Sequence, residues 1–109
     1  MNCHQFDIWK CQPAGFEKAH WFVIISPNEI CTDAREVAVN GLACFTLRGQ
    51  PLKTDVRLNG ADGFDHATVC ACDFFFYLPK AGLHDSIGTV TGERRTQISR
   101  LIREVFRLG

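Results

Sequence analysis

The run Trp21-Phe22-Val23-Ile24-Ile25, stopped by Ser26-Pro27, constrains this chain more than any other feature. Five consecutive apolar residues cannot alternate between a wet and a dry face. They read as a strand buried on both sides, which demands a packed layer above it and another below. The segment ahead of it, Phe16-Glu17-Lys18-Ala19-His20, is polar and chargeable. Glu17, Lys18 and His20 therefore stand at the mouth of a packed core, on a loop held by a rigid scaffold, where binding and chemistry usually reside.

The remaining segments supply the other layers. Phe6-Asp7-Ile8-Trp9-Lys10-Cys11 alternates apolar and polar, as a half-buried first strand does. Val37–Val39 and Leu42–Phe45 predict a third strand, with Asn40-Gly41 as a bulge or tight turn. Arg48-Gly49-Gln50-Pro51 turns the chain, Thr54–Leu58 alternates again, and Asn59–Gly63 is a strong turn signal. Thr68–Cys72 and Phe74–Leu78 read as the last two strands, with Asp73 between them. Several short strands with Gly/Pro turns argue a mainly β fold, a small barrel or sandwich. Ile98, Leu101, Ile102, Val105 and Phe106 fall on one stripe of a helix expected over about 92–108, with Thr91 as its N-cap. That helix would close one side of the barrel, in a single domain spanning 1–109.

Composition narrows the function classes. An apolar fraction of 46% and a charged fraction of 22% are ordinary globular values. Formal charge is zero, but residues 92–109 hold five arginines against Glu93 and Glu104, leaving the first 91 residues acidic. A neutral chain exerts no long-range pull on nucleic acid, so any such binding needs a local basic patch. Of six cysteines, Cys11, Cys44, Cys70 and Cys72 lie in strand-like runs, where Cys acts as a small hydrophobe. The start Met1-Asn2-Cys3-His4-Gln5 has neither a basic nor an apolar signal region, so we expect reduced thiols in a bacterial-type cytoplasm. Cys70-Ala71-Cys72 lacks the spacing of a zinc site and reads as core. No apolar run approaches membrane-spanning length, which predicts a soluble protein with no membrane partner.

In order, the pieces are Asp7-Ile8-Trp9, a Pro-x-Gly-x-Glu loop from Pro13 to Glu17, and an apolar strand ending in Ser-Pro. A strand ending in Thr46, a strand carrying Cys72-Asp73, and Gly88-Thr89-Val90 before an amphipathic helix complete them. That order, over roughly residues 6 to 108, resembles the MazF/PemK toxin family of the CcdB/PemK-like superfamily. The resemblance implies a compact SH3-like barrel of about five to seven strands and a homodimer. It also implies a metal-independent endoribonuclease, with no cofactor, that cuts single-stranded RNA, usually mRNA. Such toxins are silenced by an antitoxin encoded beside them. The family loop commonly reads Gly-x-Glu-Gln-x-Gly-x-Arg-Pro, and here it is shorter. Aligned back from Ser26-Pro27, His20 stands where the family has its catalytic arginine. Aligned forward from Gly15, Glu17 keeps the family glutamate and Lys18 replaces the glutamine. Thr46 matches the catalytic threonine; Asp73 matches an aspartate of the PemK branch, with Ala71 where that branch has an arginine.

Cutting RNA without metal uses the neighbouring 2′-OH as nucleophile, and it needs a base, an acid and a positive donor for the phosphorane charge. An imidazole serves as base or acid, so His20 is the first candidate; the plainer reading is an ordinary loop histidine. Thr46 would hold a phosphate oxygen or orient the 2′-OH, against the reading of a strand-end residue chosen for β propensity. Arg48, two residues on, would supply the guanidinium missing at position 20 if the strand continued. Glu17 and Lys18 would shape the loop or contact phosphate, unless they are a solvated pair. Asp73 is either a positioning group or a structural turn. His66, in Phe64-Asp65-His66, reads as a surface residue. The aromatic run Phe74–Tyr77 suits base stacking, a buried strand or a dimer interface. The alternative in another class is a catalytically silent barrel that only binds a partner protein, as the gyrase-poisoning CcdB toxins do. The lost arginine and neutral charge favour it. A third reading is DNA binding through the arginine-rich helix.

Overall fold

The computed structural model describes residues 3–107, so position 108 of the expected helix lies outside the described residues. Six strands run in the order of the chain: β1 (Asp7–Cys11), β2 (His20–Ile24), β3 (Ala38–Thr46), β4 (Asp55–Leu58), β5 (Thr68–Pro79) and β6 (His84–Thr89). A one-turn helix α1 (Asn28–Cys31) follows β2, and the amphipathic helix α2 (Gly92–Val105) is the last element. All pairings are antiparallel, and the strands lie side by side as β4-β5-β3-β2-β1-β6. The sheet curls into a half-barrel whose edges are β4 and β6, and α2 packs against β4 and β5.

The doubly apolar strand lies in the interior of the sheet, between β1 and β3. Val23 faces the barrel interior with Ile8, Leu42, Cys44, Leu58, Cys70, Cys72 and, from α2, the fully buried Ile98. Phe22 and Ile24 face the other way, onto Cys11, Val39, Ala43 and Leu78, a second layer roofed by Cys31 of α1 and by Leu83. Removing each such aliphatic side chain from water is worth about 2 kcal/mol, which is why a run with no polar face settles in the middle strand.

Three elements differ from the sequence reading. The runs on either side of Asp73 are one strand, β5, and its register against β3 shifts between Leu42 (opposite Phe75) and Cys44 (opposite Cys70). Asp73 sits in that bulge, exposed, so it bends a strand where a break was expected. Asn40-Gly41 is continuous strand; a Cβ at Gly41 would come within 2.7 Å of Leu78 and 3.2 Å of Phe22, so glycine there permits close packing. Strand β6 lies in a segment of weak apolar character, His84-Asp85-Ser86-Ile87-Gly88-Thr89, and joins the sheet by pairing with β1. On α2, Leu101 and Ile102 pack on the core, while Phe106 lies just past the helix, half-exposed, with its ring 4.5 Å from that of Phe75.

The open side of the half-barrel is tied by the turn Gly60–Asp62, which follows β4. Asp62 is buried, and its carboxylate accepts from the backbone N–H of Asn59 (3.0 Å) and of Thr91 (3.0 Å). Arg94 reaches it at 3.3 Å and also donates to the Arg57 carbonyl of β4 at 2.9 Å. Thr91 is the N-cap residue of α2, but its hydroxyl accepts from Arg94 (3.2 Å) and makes no cap bond. Gly63, at φ 105°, lies so close to β6 that a Cβ would collide with the Ile87 carbonyl. Gly88 meets the turn from the other side, where a Cβ would stand 2.8 Å from the Asp62 carbonyl oxygen.

All six thiols are free and buried. Burial, and then the neighbouring Cys3 thiol, push the Cys31 thiol up to about 12. Hydrogen bonds with Cys44 and Cys72, together with burial, raise Cys70 well above the usual thiol range.

Two measurements check this packing. Asp62→Ala strands the Arg94 guanidinium and two backbone donors, so chemical denaturation is expected to show a loss of about 3 kcal/mol. Glu104→Ala, on an exposed face, is expected to stay within about 0.5 kcal/mol of the parent; equal stability of the two variants would contradict the role given to Asp62. Thiolate is the reactive form, and thiols raised by burial stay protonated at pH 8. With all six thiols shielded by burial, the native protein should resist a thiol reagent at pH 8 and react with six equivalents only on unfolding; rapid labelling of the folded protein would contradict the burial of these groups.

Candidate functional site

At one rim of the half-barrel, the start of β2, the end of β3 and the loop before β5 enclose an open groove of about 560 Å³. Lys10, Lys18, His20, Thr46, Arg48 and His66 supply its polar lining, and Trp21 and Phe64 form part of its apolar wall. Among the described residues the lining carries three permanent cations and no carboxylate. A neutral chain thus has a local positive field, which selects for an anion.

Strand pairing decides how the groups approach. Phe22 pairs with Ala43, so His20, Phe22, Ala43 and Phe45 share one face of the sheet, and Trp21, Cys44 and Thr46 share the other. His20 opens β2 with its ring edge-on to Phe16 (5.2 Å) and Phe45 (6.1 Å). Thr46 closes β3 on the opposite face, exposed. Both line the groove because both strands end there, and the groove wraps round the rim from one face to the other.

The remaining expected residues are placed less uniformly. Lys18 lines the groove; Glu17, beside it on the loop after Gly15 (φ 90°), is exposed and does not. Gln12 anchors that loop by donating to the Phe16 carbonyl at 3.0 Å. Arg48 lines the groove although β3 ends at Thr46, so the continuing strand expected to align them is absent. The backbone N–H of Leu47 still donates to Ala67 (3.0 Å), which holds the chain on course as far as Arg48. Asp73 lines an adjoining hollow that shares Phe45, Thr46 and Arg48 with the groove.

His66 is exposed, as its sequence context suggested, and it also lines the groove. Its Nε2 lies 3.3 Å from the Thr46 hydroxyl, and its Nδ1 lies 2.5 Å from the Asp65 carboxylate. The hydrogen bond to His66 holds the Asp65 carboxyl below the usual carboxylate range. The loop is fixed on both sides, by buried Phe64 and by buried Thr68, whose hydroxyl donates to the His66 carbonyl at 3.2 Å. The only trace in the sequence was an Asp-His pair just ahead of a strand, a dipeptide too common to signal a site.

Beside the groove, on the face that carries His20, the rings of Phe16, Phe76, Phe74 and Phe45 form a continuous row, with neighbouring centroids 5.1, 4.7 and 5.9 Å apart. Lys10 lies 5.4 Å over the Trp21 ring. Among the described residues no group of three or more His, Cys, Asp or Glu side chains is placed to hold a metal ion, and no helix is long and apolar enough to cross a membrane.

The sequence matches no protein-family model and no curated protein. The fold, in contrast, is well represented among solved structures. A mycobacterial endoribonuclease in complex with its cognate antitoxin superposes with a TM-score of 0.83 at 20% identity, covering 98% of this chain and 97% of that one. The Mycobacterium tuberculosis toxin MazF-mt6 superposes with a TM-score of 0.79 at 22% identity, over 94% and 98% of the two chains. A chain of the MazE-MazF complex from Deinococcus radiodurans gives 0.78 at 9% identity, over 100% and 99%. The fold is that of the MazF toxins.

Proposed function

We propose that this protein is the toxin of a type II toxin–antitoxin pair, a metal-independent endoribonuclease that cuts single-stranded RNA by attack of the 2′-OH. One observation carries the reading. On a MazF-like half-barrel, a histidine, a hydroxyl and three cations distant in sequence line one open groove. In this mechanism His20 exchanges protons with the reacting oxygens, while Thr46 and Arg48 hold the scissile phosphate. Lys10 and Lys18 supply charge along the backbone, and Glu17 shapes the loop that carries Lys18. Asp73 borders the path of the strand beyond Arg48. The row of phenylalanines offers flat faces on which unpaired bases stack, worth about 1–3 kcal/mol per base. An open groove with stacking surface fits a single strand better than a duplex.

The chain would work as a homodimer and be silenced by a cognate antitoxin in the cytoplasm. Exposed Phe74 and Tyr77 on β5 and Phe106 after α2 give apolar surface for such partners, and six free thiols suit a reducing compartment. Sedimentation at micromolar concentration is expected to give twice the chain mass; a monomer throughout would remove the homodimer.

The activity is tested on a single-stranded RNA oligonucleotide in excess EDTA. Expected products carry a 2′,3′-cyclic phosphate and a free 5′-OH, and His20→Ala slows cleavage at least tenfold, about 1.4 kcal/mol of barrier. RNA left intact after prolonged incubation with excess protein would overturn the nuclease and leave the barrel as a binder of other proteins. Unchanged cleavage by His20→Ala would remove that residue from the mechanism.

A further inference from the structure

We propose that His66 is a second catalytic residue of this groove and that Asp65 is its positioning residue, an inference that rests on the nuclease reading above. With Asp65 accepting at 2.5 Å, the ring proton sits on Nδ1 and the Nε2 lone pair is turned toward Thr46 and the groove. A histidine so fixed, with its backbone pinned between buried Phe64 and Thr68, is set to take a proton from a hydroxyl. Thr46 fills that position here; in the complex the ribose 2′-OH takes it, and the threonine hydroxyl turns to a phosphate oxygen.

The step then balances within the site. Nε2 of His66 removes the 2′-OH proton, and the freed electron pair forms the bond from the 2′-oxygen to phosphorus. The bond from phosphorus to the 5′-oxygen breaks, and that oxygen takes its proton from His20 in the imidazolium form. His66 ends protonated and His20 neutral, and exchange with water resets both. No co-reactant is needed. Beyond Asp65, the charged and titratable groups facing this space are His20, Lys10, Lys18 and Arg48. The lysines and the arginine supply positive charge for the phosphorane, which leaves proton transfer to the two imidazoles.

A surface ion pair predicts something different. His66 and Asp65 are too exposed for their contact to matter much to folding, so a structural role would leave cleavage untouched. The test compares wild type, His66→Ala and Asp65→Asn on the same RNA oligonucleotide in EDTA, after checking that all three unfold at the same temperature. His66→Ala is expected to cut at least tenfold more slowly, and added imidazole to restore part of the loss. Asp65→Asn is expected to lower kcat several-fold with KM unchanged. Wild-type cleavage matched by His66→Ala overturns the inference and leaves the nuclease standing. A slowed variant that imidazole does not restore, with KM raised in proportion, makes His66 a binding residue and also overturns it. No cleavage by wild type removes both.

Discussion

The Asp62 carboxylate joins three parts of the fold that the sheet's own hydrogen bonds leave apart. It sits on the turn after β4, accepts from the backbone where β6 leads into α2, and pairs with an arginine of α2 that also grips β4. Without it, β4 and β6 are the two free edges of a curled sheet, and α2 has only its apolar stripe to hold it over the gap. A buried carboxylate is costly to desolvate, and here two backbone N–H groups and a guanidinium offset that cost. Gly63 and Gly88 let the turn and β6 approach within backbone contact, so the carboxylate reaches Thr91 at all. The tie spans the gap between the two edges, and the ends of the curled strands make the rim.

At that rim the two faces of the sheet cease to be separate environments. Within β2 and β3 the alternation of side chains keeps His20 and Thr46 apart, one with the outer aromatic layer and one with the barrel interior. Where both strands end, there is no further sheet between them, and one groove takes groups from both sides. The bulge in β5 adds the third wall: it bends the strand so that its first half pairs with β4 as well as β3, which brings the Phe64–Ala67 loop alongside the end of β3. His66 reaches Thr46 through that bend. The same bulge carries Asp73 outward into the neighbouring hollow.

What the sequence disclosed follows the strength of local physics. Trp21–Ile25 had to be an interior strand, and the stripe from Ile98 to Ile102 had to be a helix face, because burial of whole apolar faces outweighs other local preferences. Strand β6 was invisible to that logic: His84, Asp85 and Ser86 are exposed edge residues, and their place is set by pairing with β1, a long-range contact. The split assigned at Asp73 failed for a related reason. A polar residue inside an apolar run marks either a break or a bulge, and only the partner strand decides. Of the residues lining the groove, Lys18, His20, Thr46 and Arg48 were singled out from their neighbours in the chain and from the order of motifs. His66 and Lys10 were not, since each reaches the groove through pairing of strands distant in sequence.

In the proposed mechanism, having a histidine and not an arginine at the entrance of β2 changes what the groove can do. A guanidinium holds its proton at any physiological pH, so it can stabilise charge but is poorly suited to give a proton up. An imidazole does both jobs, though never in the same protonation state. In the proposed mechanism the work is divided: Lys10, Lys18 and Arg48 supply positive charge along the groove, and the two imidazoles the proton transfers. His20 leans on aromatic rings, which neither donate nor accept strongly, whereas His66 has a carboxylate on one nitrogen and a hydroxyl on the other. These unlike surroundings fit the unlike roles proposed for the two rings, one giving a proton while the other takes one.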